Sequence, residues 1–480
     1  MTDAVVVGSG PNGLAAALTL AAGGIGVRVI EAADTLGGGT RSSELTLPGL
    51  VHDDCSAFHP FAVASEFARR FDLTGAGLTW RWAFAELAHP LDGGRGAVLW
   101  RPVSETAASL GPDGRAWAAL FGPLTERFET ISAEILRPVP HVPRHPLSLA
   151  RFGAYAALPA TQLVRRWRTE EAQALFGGVA AHAFRPLDGL LSSAIGVALT
   201  TAAHAYGWPV AEGGSAAIRD AIVMRAKDHG VLFETGRRVT SIDDLTGADI
   251  VMLDTSPAAA ADLAGDRIPA RVERAYRRFR HGPGVFKVDF AVEGGVPWSY
   301  EPARHAGTVH AAGTFSQMAA TEAEVVHGLM PARPFVLVGQ QALADPTRRV
   351  RGVHPVSAYA HVPSGYTGDA TSAIVEQIER FAPGFRERVL ATHVGSTSAI
   401  ASHNPNYVGG DIVNGSNDLR QLVFRPRVTL HPYATGARGV YLCSAATPPG
   451  AGAHGMCGYL AARSALRSLD RGLRRDGQVS

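Results

Sequence analysis

The chain has 480 residues, of which 46% are apolar and 18% charged, with a formal net charge of +2. That allows about two domains with ample core and excludes both a disordered chain and a surface built to track nucleic-acid phosphates. Cys55, Cys443 and Cys457 are too few and scattered for a disulfide framework or a metal knuckle, which fits a reducing compartment.

The N-terminus enters a strand without a signal-peptide pattern, so a cytoplasmic location is the default expectation. Residues 4–7 are a short apolar run of buried-strand type, and Gly8-Ser9-Gly10-Pro11-Asn12-Gly13 follows at once. From Leu14 the small apolar pattern predicts a helix. Gly8 permits the tight turn, Gly10 lets the backbone approach a pyrophosphate, and Gly13 lets helix and strand pack; the helix N-terminus then faces the phosphates. A lone glycine turn is weak in a chain with 54 glycines. Here a second apolar strand, residues 27–30, ends in Glu31, where an acid accepts hydrogen bonds from a ribose. Together they describe a dinucleotide cradle.

Glu31-Ala32 leads into Gly37-Gly38-Gly39-Thr40-Arg41-Ser42, which resembles the double-glycine motif of the amine-oxidase and phytoene-desaturase superfamily of flavoproteins. The resemblance implies that FAD is the dinucleotide and that this motif touches it. The family's usual arginine directly after the paired glycines is Gly39 here, and Arg41 is the candidate substitute. His52-Asp53-Asp54-Cys55-Ser56 and His59-Pro60 resemble a loop leading towards the flavin ring in the phytoene-desaturase-like group. As residues alone they form a polar loop, in which His52 and His59 either move protons or fix the turn by hydrogen bonding.

Residues 61–203 are mainly helical in pattern and suggest an inserted cap holding Trp80, Trp82, Trp100 and Trp117. A proline-rich connector, 138–146, divides it and is expected to be extended. Residues 147–167 are apolar, with Arg151, Arg165, Arg166 and Arg168 towards the ends. A helix on a membrane surface and an ordinary solvated helix face both fit, the second better. The uncharged stretch 189–211 is long enough to span a bilayer, but its Ser, Thr, His204 and Pro209 favour a buried helix entering a turn. Ser215 is the expected N-cap of a helix with Ile218 and Ile222 on one face and Gly230 at its stop. Val239 lies in a segment resembling the one whose backbone meets the adenine in this superfamily. Asp254 stands at the exit of a buried strand, where relatives carry a small residue.

Lys227 and Lys287 are the only lysines. The strand around Lys287 resembles one in amine oxidases whose lysine holds a water near flavin N5. The competing reading is an ion pair with Asp289, two residues along the same strand face. Residues 300–424 alternate strands and helices, consistent with a sheet-based substrate domain. Within them Asn404-Pro405-Asn406-Tyr407 again resembles the phytoene-desaturase-like group, Tyr407 either lining the pocket or packing in the core. The chain closes on a strand, a glycine-rich loop and a helix that resemble the family's C-terminal flavin-binding signature. By that resemblance Ser444 and the N–H groups around Gly455 and Met456 face the flavin near N1 and its C2 carbonyl, with His454 beside the ring.

The expected fold is α/β: a Rossmann-type FAD-binding domain from the discontinuous segments 1–62, 205–280 and 425–472, and a mixed α+β substrate domain with a helical cap from 63–204 and 281–424. A frayed tail, 473–480, follows. The implied cofactor contacts are Gly8, Ser9, Gly10, Pro11, Asn12, Gly13, Glu31, Ala32, Gly38, Gly39, Thr40, Arg41, Val239, Ser444, Gly455 and Met456. The catalytic candidates are Lys287, His59 and His454, and no metal is expected. A second glycine turn for NAD(P)H is absent. The expected reaction is therefore hydride removal from a C–H bond of a small hydrophobic organic substrate to flavin N5, with oxygen or a quinone as acceptor. Redox-neutral isomerisation of a polyene or lipid is one alternative, and a FAD-stabilised binding or assembly protein another. Nucleic acid is not an expected partner; peripheral membrane contact and the oligomeric state stay open.

Overall fold

Apolar on both faces, the run at 4–7 suits only the middle of a parallel sheet covered on two sides. In the computed structural model, which describes residues 3–476, it is the central strand of five. Their order is Val440–Leu442, Ile250–Leu253, Asp3–Val7, Gly26–Ile30 and Leu232–Glu234, all parallel. Register is set by apolar partners: Val5 lies opposite Val251, and Val6 opposite Val29. Helix Pro11–Ala22 and the C-terminal helix Met456–Asp476 cover one face of this sheet and cross closely, since a Cβ on Gly458 would lie 1.7 Å from the Asn12 carbonyl oxygen. The other face packs on Leu263, Val272 and Tyr276.

A second, seven-stranded sheet runs Val389–Gly395, Gly284–Glu293, Val353–Val362, Val336–Gly339, Ala306–Ala311, Ala85–Pro90 and Gly96–Leu99. Its pairings are antiparallel except for Ala306–Ala311 with Ala85–Pro90. Two of its strands therefore come from the stretch whose pattern is mainly helical, because that stretch reaches back to complete a sheet built from far downstream. The helical part has its own core, where Trp117 packs against Phe121 and Trp167, and Trp167 against Phe176.

Of three local expectations, the first and last need correction and the second holds. Residues 147–167 do not form one helix: Pro146–Ala156 ends before Pro159, and the short turns Ala160–Leu163 and Val164–Arg166 follow. The uncharged stretch is the buried helix Ser193–Tyr206, and no helix among the described residues is long and apolar enough to cross a membrane. Helix Met456–Asp476 extends into the stretch expected to fray, and residues 477–480 lie outside the described residues.

Candidate active site

The cradle begins where Gly8, at φ +97°, donates its N–H to the Ile30 carbonyl over 2.8 Å. Only glycine takes that turn without strain. Glu31 is tied in from two sides: its Oε2 accepts the Ser9 N–H (2.9 Å) and hydroxyl (2.6 Å), and its Oε1 accepts the Ala33 N–H (2.9 Å). Gly38–Thr40 forms one turn of 3-10 helix directly on the cradle, and a Cβ on Gly38 would lie 2.9 Å from the Gly10 Cα. Arg41 reaches back, 3.8 Å from Glu31 and bonded to the Thr35 carbonyl. Val239 lies half-buried two residues after Arg237, whose N–H donates to the Glu31 carbonyl.

Helix Pro11–Ala22 has proline in its first turn and no side-chain cap. Asn12 Oδ1 is buried on that turn without a hydrogen-bond partner, as is Arg41 Nε beside it in the double-glycine motif. An uncapped helix start, unsatisfied polar atoms and glycines with no room for a Cβ fit a bound dinucleotide.

The His-Asp loop is held by a buried ion cluster. Arg348 Nη1 lies 2.6 Å from Asp53 Oδ2, its Nε 3.3 Å from Asp345 Oδ2, and its Nη2 donates to the Ala211 carbonyl. Burial opposes ionisation of Asp53, but Arg348 and the Ser215 N–H outweigh it and hold the carboxyl below its usual range. Ser215 holds the expected N-cap position of helix Ala216–Asp228, but its hydroxyl makes no cap bond: it donates to the Ser56 carbonyl and meets His59 Nε2 at 2.8 Å. Burial pushes His59 down to about 4, so it is neutral near pH 7.

Beyond the double-glycine motif opens a cavity of about 270 Å³. Leu45, Val285, Ile400 and Ile412 supply apolar wall; Lys287, Asp289, His393 and His403 supply polar wall. Tyr407 stands between cradle and cavity. It lines the cavity, and a Cβ on Gly39 would lie 2.0 Å from its hydroxyl oxygen. Lys287 donates to both oxygens of Asp289, with His52 Nδ1 at 3.4 Å and His393 Nδ1 at 3.8 Å. Burial would raise Asp289, yet Lys287 and the two histidines hold it well below the carboxylate range. Burial also raises the Cys55 thiol and the Tyr407 hydroxyl, leaving both neutral.

Of the three catalytic candidates, only Lys287 belongs to the cavity wall. His59 faces Ser215 and Trp80 instead. His454 is buried in the C-terminal loop, where its Nδ1 accepts the Met456 N–H over 3.1 Å; burial lowers it to about 4. The Met456 N–H, expected to face the flavin, is thus engaged by its own loop. Ser444 is likewise occupied, accepting the Ala446 N–H, and Gly455 packs on Phe67. Sequence reasoning passed over His393 and Arg348. Neither has a local signal: strand Val389–Gly395 exposes the apolar Leu390 and Val394 and half-buries His393, and Arg348 meets Asp53 only across the fold.

The dinucleotide cradle on the first sheet therefore adjoins a cavity walled by the second. Residues 6–71 match the family of NAD(P)-binding Rossmann-like domains. The chain is 26% identical over 419 residues to phytoene dehydrogenase of Streptomyces griseus, covering 81% of this chain and 77% of that protein. It is 25% identical over 300 residues to pyridine nucleotide-disulfide oxidoreductase domain-containing protein 2 of Rattus norvegicus, covering 55% of this chain and about half of that relative's length, 52%. In fold it is similar to an oxidoreductase from Methanosarcina mazei (TM-score 0.64, 15% identity, 97% and 100% covered) and to putrescine oxidase (0.61, 17%, 98% and 99%). The chain thus carries a Rossmann-like dinucleotide-binding domain over residues 6–71 and shares its fold with these solved oxidoreductase structures.

Proposed function

We propose that the chain oxidises a small, mainly hydrophobic organic substrate at a C–H bond, with electrons passing on to oxygen or a quinone. The observation that carries this reading is the partition at Tyr407, which sets the cavity directly against the double-glycine motif. FAD, when bound, supplies the hydride acceptor. Glu31 and Ser9 would hold its ribose, and the start of helix Pro11–Ala22 its phosphates. In the cavity the apolar wall takes the body of the substrate, while Lys287 and Asp289 orient a polar group on it. His393, lining the cavity 3.8 Å from Asp289, is placed to take up a proton released there.

The reading extends to peripheral contact with a membrane. Val142 and Leu147 are 89% and 83% exposed, and Arg144 and Arg151 are exposed beside them.

The test is an anaerobic absorbance titration of the purified protein with host lipid extract, with NADPH in a parallel cuvette. Bleaching of the flavin bands by extract alone is expected. Bleaching by NADPH alone would replace this reading with a reductase or a reduced-flavin isomerase, and a yellow protein bleached by neither would favour a binding protein.

A further inference from the structure

Asp254 follows strand Ile250–Leu253 and turns its side chain into the phosphate cradle. Its Oδ2 accepts the Gly13 N–H over 2.9 Å, inside the first turn of helix Pro11–Ala22. The same oxygen would lie 2.6 Å from a Cβ on Gly10 and 2.8 Å from one on Gly13, so the carboxyl fills the space those glycines leave free. Asp254 is 7% exposed, and none of the ion pairs among the described residues includes it.

Each element packed around Asp254 fails to supply a cation. The end of strand Gly26–Ile30 brings Glu31, a second carboxylate, whose own basic neighbour is Arg41 at 3.8 Å. The exit of strand Val440–Leu442 brings Cys443, the C-terminal helix brings Cys457, and the 404–407 loop brings Tyr407; burial raises all three, so they stay neutral. Asn406 donates only to the Asp254 backbone carbonyl. Burial raises Asp254 to about 6, against the Gly13 and Gly10 N–H groups, with Glu31 pushing the same way. At neutral pH the apo-cradle therefore holds a carboxylate of its own where a diphosphate must be received.

We propose that Asp254 couples FAD loading to a proton: the apo-protein takes up one proton from solvent at Asp254 as the cofactor's diphosphate enters the cradle. This rests on the FAD reading above. The added phosphate charges raise the cost of a carboxylate beside them. A neutral carboxyl still accepts the Gly13 N–H through its carbonyl oxygen, so the turn keeps its geometry. The consequence is affinity for FAD that falls as pH rises.

The test uses full-length apo-protein and FAD, read by quenching of flavin fluorescence between pH 5.5 and 8.5, with proton uptake recorded in weakly buffered solution at pH 7.5. In the wild type the Kd should rise by up to about tenfold per pH unit, with close to one proton taken up per FAD. Asp254→Asn keeps an oxygen for Gly13 and carries no charge; it should bind with a flat profile and no proton uptake. Parallel profiles, or no proton uptake by the wild type, would overturn the inference. The wild-type uptake decides the matter even if the variant does not fold. Failure of the wild type to take up FAD at any pH would overturn both this inference and the cofactor reading beneath it.

Discussion

Two buried ion clusters face each other across the His-Asp loop, and they are built to opposite plans. Around Arg348 everything is closed: its side chain and those of Asp53 and Asp345 are at most 1% exposed, and the acids also accept the N–H groups of Ser215 and Gly213. Around Lys287 the cluster is open on one side. Lys287 and Asp289 line the cavity, and the nearby His393 side chain is 43% exposed. A fully satisfied, sealed cluster fixes the relative position of chain segments; one that meets a cavity with spare basic nitrogens can serve chemistry.

The contrast breaks first at Arg348. Arg348→Ala leaves two buried carboxylates without a cation and should cost about 3–5 kcal/mol of stability, measured by urea denaturation of the FAD-loaded protein. Lys287→Met should act on rate instead, slowing anaerobic flavin reduction by roughly 10²-fold, with a smaller loss of stability because His52 and His393 remain beside Asp289. Equal stability losses in the two variants would erase the distinction. Glu31→Gln sharpens it on the cofactor side: losing a charged acceptor for Ser9 and the ribose should weaken FAD binding by about 10-fold or more, seen by equilibrium dialysis, with the fold intact.

The smallest expected effect concerns protons. Burial pushes His59, His89, His204 and His454 down to about 4. Between pH 6.5 and 4 the unfolded chain binds protons at these positions and the native chain does not, so stability falls as pH is lowered through that window. His59→Gln should recover roughly 1 kcal/mol of the loss between pH 7 and 5.5, read from the shift in urea midpoint relative to the wild type.

The cradle was legible because its determinants are local: six residues of turn, a strand on either side and an acid at fixed distance. What escaped is set by contacts between distant segments. Arg348 meets Asp53 across 295 positions, and no spacing rule links them. Ser215 has the composition and place of a helix cap, yet tertiary contacts with Ser56 and His59 claim its hydroxyl. For Lys287, the residues allowed both a flavin-side role and a pair with Asp289; the fold puts that pair in the cavity wall, where the two roles are not exclusive. Among Trp80, Trp82, Trp100 and Trp117, only Trp117 builds the cap core, beside Trp167, while the other three are half-buried; aromatic side chains serve packing and pockets equally well.

The crossing of Gly458 against the Asn12 carbonyl has a consequence for the order in which the protein can be made. The glycine turn is made long before the strand beside Ile250–Leu253 and the helix that presses on the turn. A nascent chain therefore carries a half-built cradle until that strand and helix have been made. Pairings of such long sequence separation form late, so FAD should be captured only after the final helix docks, and a chain halted before Gly458 should emerge colourless.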